Sequence, residues 1–475
     1  MNPKERSRII FVFVLELLLL LSIVVYLSHF VIFKSEAVAN RPENRRRTIA
    51  KQNIKRGNIL DRDGNVLAYT EGEAGNYKRL YNEPNIYSHI IGYSSMRHGD
   101  YLLERSYRDY LLGEQQVPIK EKVLDLWSEG FDPKKKEGAD VILTTNTELQ
   151  RKAYEEILDS HEKGAVVVLN PKTGEVLAMA SAPSFNANNI DRDISVITEQ
   201  NEGALLNRAT QGLYAPGSTF KIVTAAAILE NPQVSQNYED TGEQEIDGRK
   251  FKNASNAIYG SLNLKSAFTH SVNTYFVQKT VEIGQDNFGN VADKFYLNQD
   301  LKFDLPVKNS EFDHSKKLPQ TTLAASGIGQ GNILTTPLEM AMIASSIAND
   351  GKMMKPYLVS SVEKGKDVIY THTPEVLSEA TSANFANQIK EYMISVVREG
   401  TGRRANVRGV KVAGKTGTAE TASGLNNAWF VGFAPAEDPK VCVAVLLENV
   451  DTHGGASAAP IAKEIIEYAV KELGL

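Results

Sequence analysis

Gly164-Ala165-Val166-Val167-Val168-Leu169-Asn170-Pro171-Lys172-Thr173-Gly174-Glu175-Val176-Leu177-Ala178-Met179-Ala180 is two apolar runs joined by a turn. Gly164 to Leu169 and Glu175 to Ala180 are each strand-length, and the link between them carries Asn, Pro and Gly, the residues that turns demand. A second pair of the same kind lies near the C-terminus, with Ala428 to Ala434 and Lys440 to Glu448 flanking Ala436-Glu437-Asp438-Pro439. Between the pairs run helical patterns, including Lys221 to Glu230 and Leu338 to Ala348. Outside them lie Thr147 to Leu158, with Leu149, Ala153, Ile157 and Leu158 on one stripe, and the amphipathic stretch Ala458 to Leu473. Strand pairs at both ends with helices between predict one antiparallel sheet with helices packed on it, an α+β fold.

The chain has 475 residues, enough for two or three domains, and a net charge of −5 that gives no footing for nucleic-acid binding. Its single cysteine, Cys442, excludes an internal disulfide framework and alternates with Val441, Val443 and Val445 as a buried strand residue would. No Cys/His cluster has metal-ligand spacing, so neither a metal nor a cofactor is expected.

Upstream, Ile9 to Phe33 is apolar apart from Glu16, Ser22, Ser28 and His29, and is long enough to cross a bilayer as a helix. Ala37-Val38-Ala39 resembles a signal-cleavage site, but a signal h-region runs only about 7–15 residues, so an uncleaved anchor is expected. Lys4, Arg6 and Arg8 precede the span, while Lys34, Arg41 and Arg45 to Arg47 follow it, so the positive-inside rule does not orient it. Glu16 within the span is read either as a helix–helix contact with a membrane partner or as a residue drifting to an interface. Residues 34–140 read as a pedestal. Asp63-Gly64 marks a hairpin between Ile59-Leu60 and Val66-Leu67, Asp100 to Leu112 is expected as a helix stopped by Gly113, and Lys134-Lys135-Lys136 as a solvated loop.

The chemistry is sought in three short motifs: Ser218-Thr219-Phe220-Lys221, Ser271-Val272-Asn273 and Lys415-Thr416-Gly417. Ser218 and Lys221 stand one helical turn apart, and a neutral Lys221 can take the Ser218 proton without any histidine. The pattern recurs at Ser160/Lys163 and Ser361/Lys364, but only Ser218 follows a chain break (Pro216-Gly217) and opens an apolar helix whose N-terminus stabilises negative charge. Ser271 and Asn273 offer a hydroxyl to relay a proton and an amide to hydrogen-bond a substrate amide, or else simply cap the next helix; His270 is read as structural or exposed. Other Ser-x-Asn triplets begin at Ser184, Ser235, Ser261 and Ser382. Lys172-Thr173-Gly174 repeats the third motif but lies in a turn, whereas Lys415-Thr416-Gly417-Thr418 leads into the second strand pair, where small residues let a substrate backbone lie along the edge. There Lys415 would add positive charge for a substrate carboxylate, and Thr416 and Thr418 would hydrogen-bond it.

Taken in order, these motifs resemble those of the penicillin-binding proteins and serine β-lactamases, with valine in place of aspartate in the second. The resemblance extends over most of the chain. Asn207-Arg208-Ala209, Gly329-Gln330-Gly331 and Thr335-Thr336-Pro337-Leu338-Glu339-Met340-Ala341 are similar to family segments, and so is Leu143-Thr144-Thr145-Asn146, with Asn146 where aspartate is usual. Arg56-Gly57-Asn58-Ile59-Leu60-Asp61-Arg62-Asp63-Gly64, with Leu103-Glu104, Tyr107 and Leu111-Leu112-Gly113, resembles the class B, monofunctional D,D-transpeptidases; a short form without extra C-terminal domains is expected.

The resemblance implies a cytoplasmic tail (1–8), a single-pass anchor (9–33), a pedestal of the dimerisation type (34–140) and an extracellular transpeptidase domain (141–475). It implies that Ser218 forms an acyl-enzyme with a donor stem peptide, that Lys221 is its base and that Ser271 returns a proton to the leaving D-Ala. Asn273 would complete the catalytic set, while Lys415, Thr416, Gly417 and Thr418 would bind substrate, with the amides of Ser218 and Thr418 as oxyanion hole. Implied partners are lipid II-derived peptidoglycan strands, β-lactams, the membrane and a polytopic glycosyltransferase of the shape, division and sporulation type. A D,D-carboxypeptidase, a β-lactamase, a β-lactam sensor and a catalytically quiet scaffold remain as alternatives.

Overall fold

The computed structural model describes residues 2–33, 54–113, 137–161, 163–200 and 203–474. Ala37 to Ala39 and Lys134 to Lys136 lie outside them. Helix α1 (Pro3–Phe33) contains a span, Arg6–Leu27, of 22 residues with mean hydropathy 3.0, the one helix among the described residues long and apolar enough to cross a membrane. At 1.5 Å per residue that span measures about 33 Å, close to the thickness of a bilayer's hydrocarbon core.

The segment that follows gives four strands to one sheet: β1 (Ile59–Leu60), β2 (Val66–Glu71), β3 (Lys78–Tyr81) and β4 (Asp140–Leu143). The Asp63-Gly64 turn joins β1 to β2 as expected, with Leu60 opposite Val66. The helix expected over Asp100 to Leu112 is instead a strand, Gly99–Tyr101, and two single turns, Leu103–Ser106 and Arg108–Leu111. Leu102 has φ 51° and Tyr107 φ −105°, values that interrupt a helix. Tertiary contact outweighs periodicity here, because the buried Glu104 carboxylate meets Arg56 Nε at 2.6 Å and Arg79 Nε at 2.7 Å. Breaking such a buried charge set costs several kcal/mol, ~3–5, against a few tenths for helix propensity.

Next come α2 (Thr147–Ser160), β5 (Gly164–Leu169), β6 (Val176–Ala182), α3 (Lys221–Glu230), α4 (Leu264–His270), α5 (Asn273–Ile283) and α6 (Pro337–Ala348). Later in the chain lie the hairpin β7 (Val359–Lys364) and β8 (Asp367–Thr371), helix α7 (Ala383–Arg398), strands β9 (Ala413–Glu420), β10 (Asn426–Ala434) and β11 (Val441–Val450), and α8 (Ala458–Glu467). The two strand pairs read from the sequence unite in one five-stranded antiparallel sheet, β9-β10-β11-β5-β6, with β11 against β5. Alternation decides the faces. Val166, Val168, Val443 and Val445 pack with Ile157 of α2 and Ile461 and Ile465 of α8, while Ala165, Val167 and Ala444 pack with Ile222 of α3 and Met340 and Ile343 of α6. Cys442 is buried, its thiol donating to the Ala341 carbonyl at 3.5 Å.

The hairpin β7–β8 does not join that sheet. It completes the other one, in the order β8-β7-β4-β1-β2-β3, where β7 covers the edge of β4. A boundary at residue 141 therefore divides the sequence but not this sheet. The two units also meet at Asp61, whose buried carboxylate accepts from Asn65 N at 2.8 Å and from Thr147 Oγ1, at the start of α2, at 2.6 Å.

Candidate active site

Ser218 sits in a tight helical turn, Gly217–Phe220, that runs straight into α3. Every residue of α3 from Lys221 to Leu229 is buried, so the helix is gripped on all sides and the direction of the Lys221 side chain is set by packing. Gly217 has φ 54°, and a Cβ there would lie 2.5 Å from the Thr418 carbonyl oxygen. The Ser218 turn and β9 are thus in backbone contact. The Gly217 amide donates to the Gly329 carbonyl at 2.9 Å, and Tyr214 and Thr335 exchange backbone bonds at 2.9 Å, so the segment resembling the family's stretch before the third motif braces the turn from behind.

The second motif is carried on the bend between α4 and α5. Ser271 ends α4 with φ 58°, ψ 43°, and Asn273 begins α5. This bend turns both side chains onto Lys221, whose Nζ donates to the Ser271 carbonyl at 2.8 Å, to Ser271 Oγ at 3.1 Å and to Asn273 Oδ1 at 2.8 Å. Asn273 Nδ2 donates to the Lys252 carbonyl at 3.0 Å, which aims its oxygen at the lysine. Among the described residues, no hydrogen bond joins the Ser218 hydroxyl to Lys221.

Lys415, on β9, reaches the same hydroxyl from the other side. Its Nζ is 2.9 Å from Ser271 Oγ and 3.0 Å from the Thr416 carbonyl, and the residue is fully buried. Two lysines therefore share one serine. Burial, and after it the charge of Lys415, hold the pKa of Lys221 well below the usual lysine range, and burial lowers that of Lys415 to about 7. Phe276 lies 5.2 Å from Lys221 Nζ and Phe268 5.7 Å from Lys415 Nζ, contacts that favour the cations but do not offset burial. A neutral Lys221 spends its two N–H bonds on the Ser271 carbonyl and Asn273 Oδ1, both pure acceptors. Its lone pair is left for a hydroxyl proton.

The remaining members of the third motif line β9. Thr416 Oγ1 is 2.6 Å from Thr401 Oγ1, and Thr418 Oγ1 accepts from Gly454 N at 3.2 Å. Because β9 is the outer strand of its sheet, one of its backbone edges has no strand partner there. The decoys sit elsewhere. Ser160 ends α2, Ser361 and Lys364 lie on β7 in the other sheet, Lys172 pairs with Asp438 in the β5–β6 turn, and Ser382 caps α7. Thr401, on the loop after α7, reaches Thr416 without any signal in the local sequence. Among the described residues, no group of three or more His, Cys, Asp or Glu is placed to hold a metal.

Residues 164–467 match the penicillin binding protein transpeptidase domain family, and residues 56–141 the penicillin binding protein A dimerisation domain family. The chain is 32% identical to the peptidoglycan D,D-transpeptidase PbpA of Mycolicibacterium smegmatis, over 99% of this chain and 100% of the relative. It is 30% identical to the stage V sporulation protein D of Bacillus subtilis, over 91% of this chain and 69% of the relative. Among solved structures it is similar to the ceftriaxone acyl-enzyme complex of penicillin-binding protein A from M. tuberculosis, with TM-score 0.80 and 31% identity over 89% of this chain and 100% of that one. The penicillin G acyl-enzyme of the same protein superposes with TM-score 0.79 and 31% identity, over 88% and 100%.

Proposed function

This chain belongs to the penicillin-binding protein transpeptidases, and from that premise we propose how its own residues carry out the reaction. It is a serine-type peptidoglycan D,D-transpeptidase and a target of β-lactams. Ser218 is the nucleophile. Its Oγ attacks the carbonyl of the penultimate D-Ala of a donor stem peptide while the lone pair of Lys221 takes its proton, and the amides of Ser218 and Thr418 hold the oxyanion, each donor worth about 10²–10³ in rate. As the C–N bond breaks, Ser271 Oγ gives its proton to the departing D-Ala and is restored from Lys221, leaving an ester on Ser218. An amine of a neighbouring stem then attacks that ester, releasing the cross-linked product and Ser218. Thr416 and Thr418 receive the substrate carboxylate with the Lys415 charge behind them, and Asn273 binds the donor amide.

The observation that carries this reading is Ser271 Oγ held between Lys221 and Lys415, 3.1 and 2.9 Å away. A proton can pass along this row without leaving the site. In this reading residues 141–475 carry the chemistry, while 34–140 with β7–β8 form the pedestal. Helix α1 fits a single-pass anchor, and peptidoglycan as substrate argues for a catalytic domain on the outer side. The apolar anchor, with Glu16 inside it, suits a polytopic glycosyltransferase as membrane partner.

Labelling membranes with a fluorescent penicillin tests the nucleophile: Ser218→Ala should abolish the covalent adduct, and an adduct that persists would refute the assignment. Purified protein incubated with polymerised lipid II should yield cross-linked dimers. Release of D-Ala without dimers would instead mark a carboxypeptidase.

A further inference from the structure

Helix α5 opens on Asn273 without a cap of its own. Its N-cap is Val272, which stands where the family pattern has aspartate, and a valine side chain accepts nothing from the first turn. The acceptors come instead from the segment between α3 and α4. Asn253 Oδ1 accepts from the Thr274 amide at 3.1 Å, and the Asp240 carboxylate accepts from Thr274 Oγ1 at 2.7 Å. Asp240 also decides which way Asn253 faces. It accepts from Asn253 Nδ2 at 2.9 Å, which turns the amide oxygen toward α5. Its other donors, Gly242 N at 3.1 Å and Tyr259 N at 2.8 Å, fix the loops on either side. Burial pushes the pKa of Asp240 up, but the bonds from Thr274, Tyr259, Gly242 and Asn253 outweigh it and hold the carboxyl below its usual value. The charge therefore persists at neutral pH. Asn273 is held on both flanks by this unit: Thr274 follows it, and Lys252, whose carbonyl accepts from Asn273 Nδ2 at 3.0 Å, precedes Asn253. What the unit aims is Asn273 Oδ1, 2.8 Å from Lys221 Nζ.

We propose that Asp240 is a positioning residue for the acyl transfer. Acting through Asn253 and Thr274, it fixes the start of α5 and with it the direction from which Asn273 Oδ1 meets Lys221. Its effect is on how Lys221 spends its N–H bonds. With Oδ1 and the Ser271 carbonyl taking one each, the lone pair of the neutral amine is held toward a hydroxyl. Once Oδ1 swings away, the amine rotates and the lone pair loses its aim. The protonated form loses one of its three acceptors at the same time. Bonds to a charged donor are the stronger ones, so the cation loses more than the neutral amine and the pKa of Lys221 falls further. The inference rests on the acyl-enzyme reading above and adds to it what holds the base in place.

The test is the pH profile of acylation by a fluorescent penicillin, read by stopped flow on the full-length protein in detergent, with thermal unfolding of each variant. Asp240→Asn keeps the shape but turns an N–H2 group toward donors that need an acceptor. Thr274→Val removes only the hydroxyl that joins Asp240 to α5. Each should lower the plateau rate by about 10²-fold and move the acid limb to lower pH by about one unit. Thr274→Ser, which keeps the hydroxyl, should restore the wild-type limb. Lys415, the titratable neighbour that shares Ser271 with Lys221, is present in every variant, so its own charge does not separate them. Where Asp240→Asn fails to fold, Thr274→Val carries the same two readings. A wild-type plateau in Thr274→Val would overturn the proposal. So would a lower plateau with the limb unmoved, the mark of lost folded protein alone, or a limb moved to higher pH, the mark of water reaching Lys221. Absence of any adduct on the wild-type protein would refute the acyl-enzyme reading itself, a separate result.

Discussion

Gly217→Ala tests whether contact between the Ser218 turn and β9 is what aligns the proposed nucleophile. The substitution has two effects that can be separated. An alanine at φ 54° carries the left-handed cost, about 1–2 kcal/mol. In addition, its Cβ would lie 2.5 Å from the Thr418 oxygen and 2.8 Å from the Thr418 carbonyl carbon, both backbone atoms that cannot rotate away. Relieving that overlap to an ordinary contact moves the turn from β9 by about 1 Å, and a misplacement of that size costs about 10²-fold in rate. Gly409→Ala is the control. Its φ is 83°, with nothing within 4 Å of the added Cβ, so it bears the conformational cost without the displacement. Stopped-flow acylation by a fluorescent penicillin, with thermal unfolding of each variant, measures both. Gly409→Ala should lose about 1–2 kcal/mol of stability and acylate as the wild type does; Gly217→Ala should lose at least as much and acylate about 10²-fold more slowly. Wild-type acylation by Gly217→Ala would refute the claim that this contact positions Ser218.

Lys415→Met removes one of the two causes that depress Lys221, so the Lys221 pKa rises and the acid limb of the acylation pH profile moves to higher pH; no movement, or movement to lower pH, would contradict the shared-serine arrangement. Burial lowers the pKa of Lys415 itself from 10.5 to about 7, so between those values the unfolded chain holds the extra proton. Its contribution to stability therefore rises with pH across that window, and denaturant titrations should show Lys415→Met losing that slope. Glu339 runs the other way. Burial raises its pKa to about 8, the folded state holds the extra proton between 4.5 and 8, and stability falls as pH rises through that range. Glu339→Gln keeps an acceptor for Ser310 Oγ and should remove the decline, on the order of 4 kcal/mol by pH 8, in the same titrations. Asp61→Ala strips the acceptor from Thr147 and Asn65 and should cost about 3 kcal/mol of stability while fluorescent-penicillin labelling of Ser218 persists.

Much of this was legible before any coordinate. The strand pairs at 164–180 and 428–448 carry period-2 or continuous apolar runs bounded by turn residues, and such signals are local. So are the helix opened by Lys221 and the apolar span of α1. What misled was the stretch from Asp100 to Leu112, where helical spacing is real but Glu104 is pulled into ion pairs with Arg56 and Arg79, residues distant in sequence. The β7–β8 hairpin was invisible for a similar reason: which sheet a strand joins is decided by which edge lies open to it.

The sequence by itself determined the setting of the proposed nucleophile, a serine one turn ahead of a lysine at the start of a helix too apolar to lie on a surface. It also carried, in order, the three motifs of a histidine-free acyl transfer, because each depends on neighbours within a few residues. Only the tertiary structure decided how they work together. Ser218, Ser271 and Lys415 are far apart along the chain, and it is the packing of α3 and α5 and the backbone contact of the Ser218 turn with β9 that bring Lys221 and Lys415 to either side of one hydroxyl. There burial removes the water that would keep both lysines charged. The same burial is why Lys415, read from sequence as a positive charge for a substrate carboxylate, has its pKa lowered to about 7.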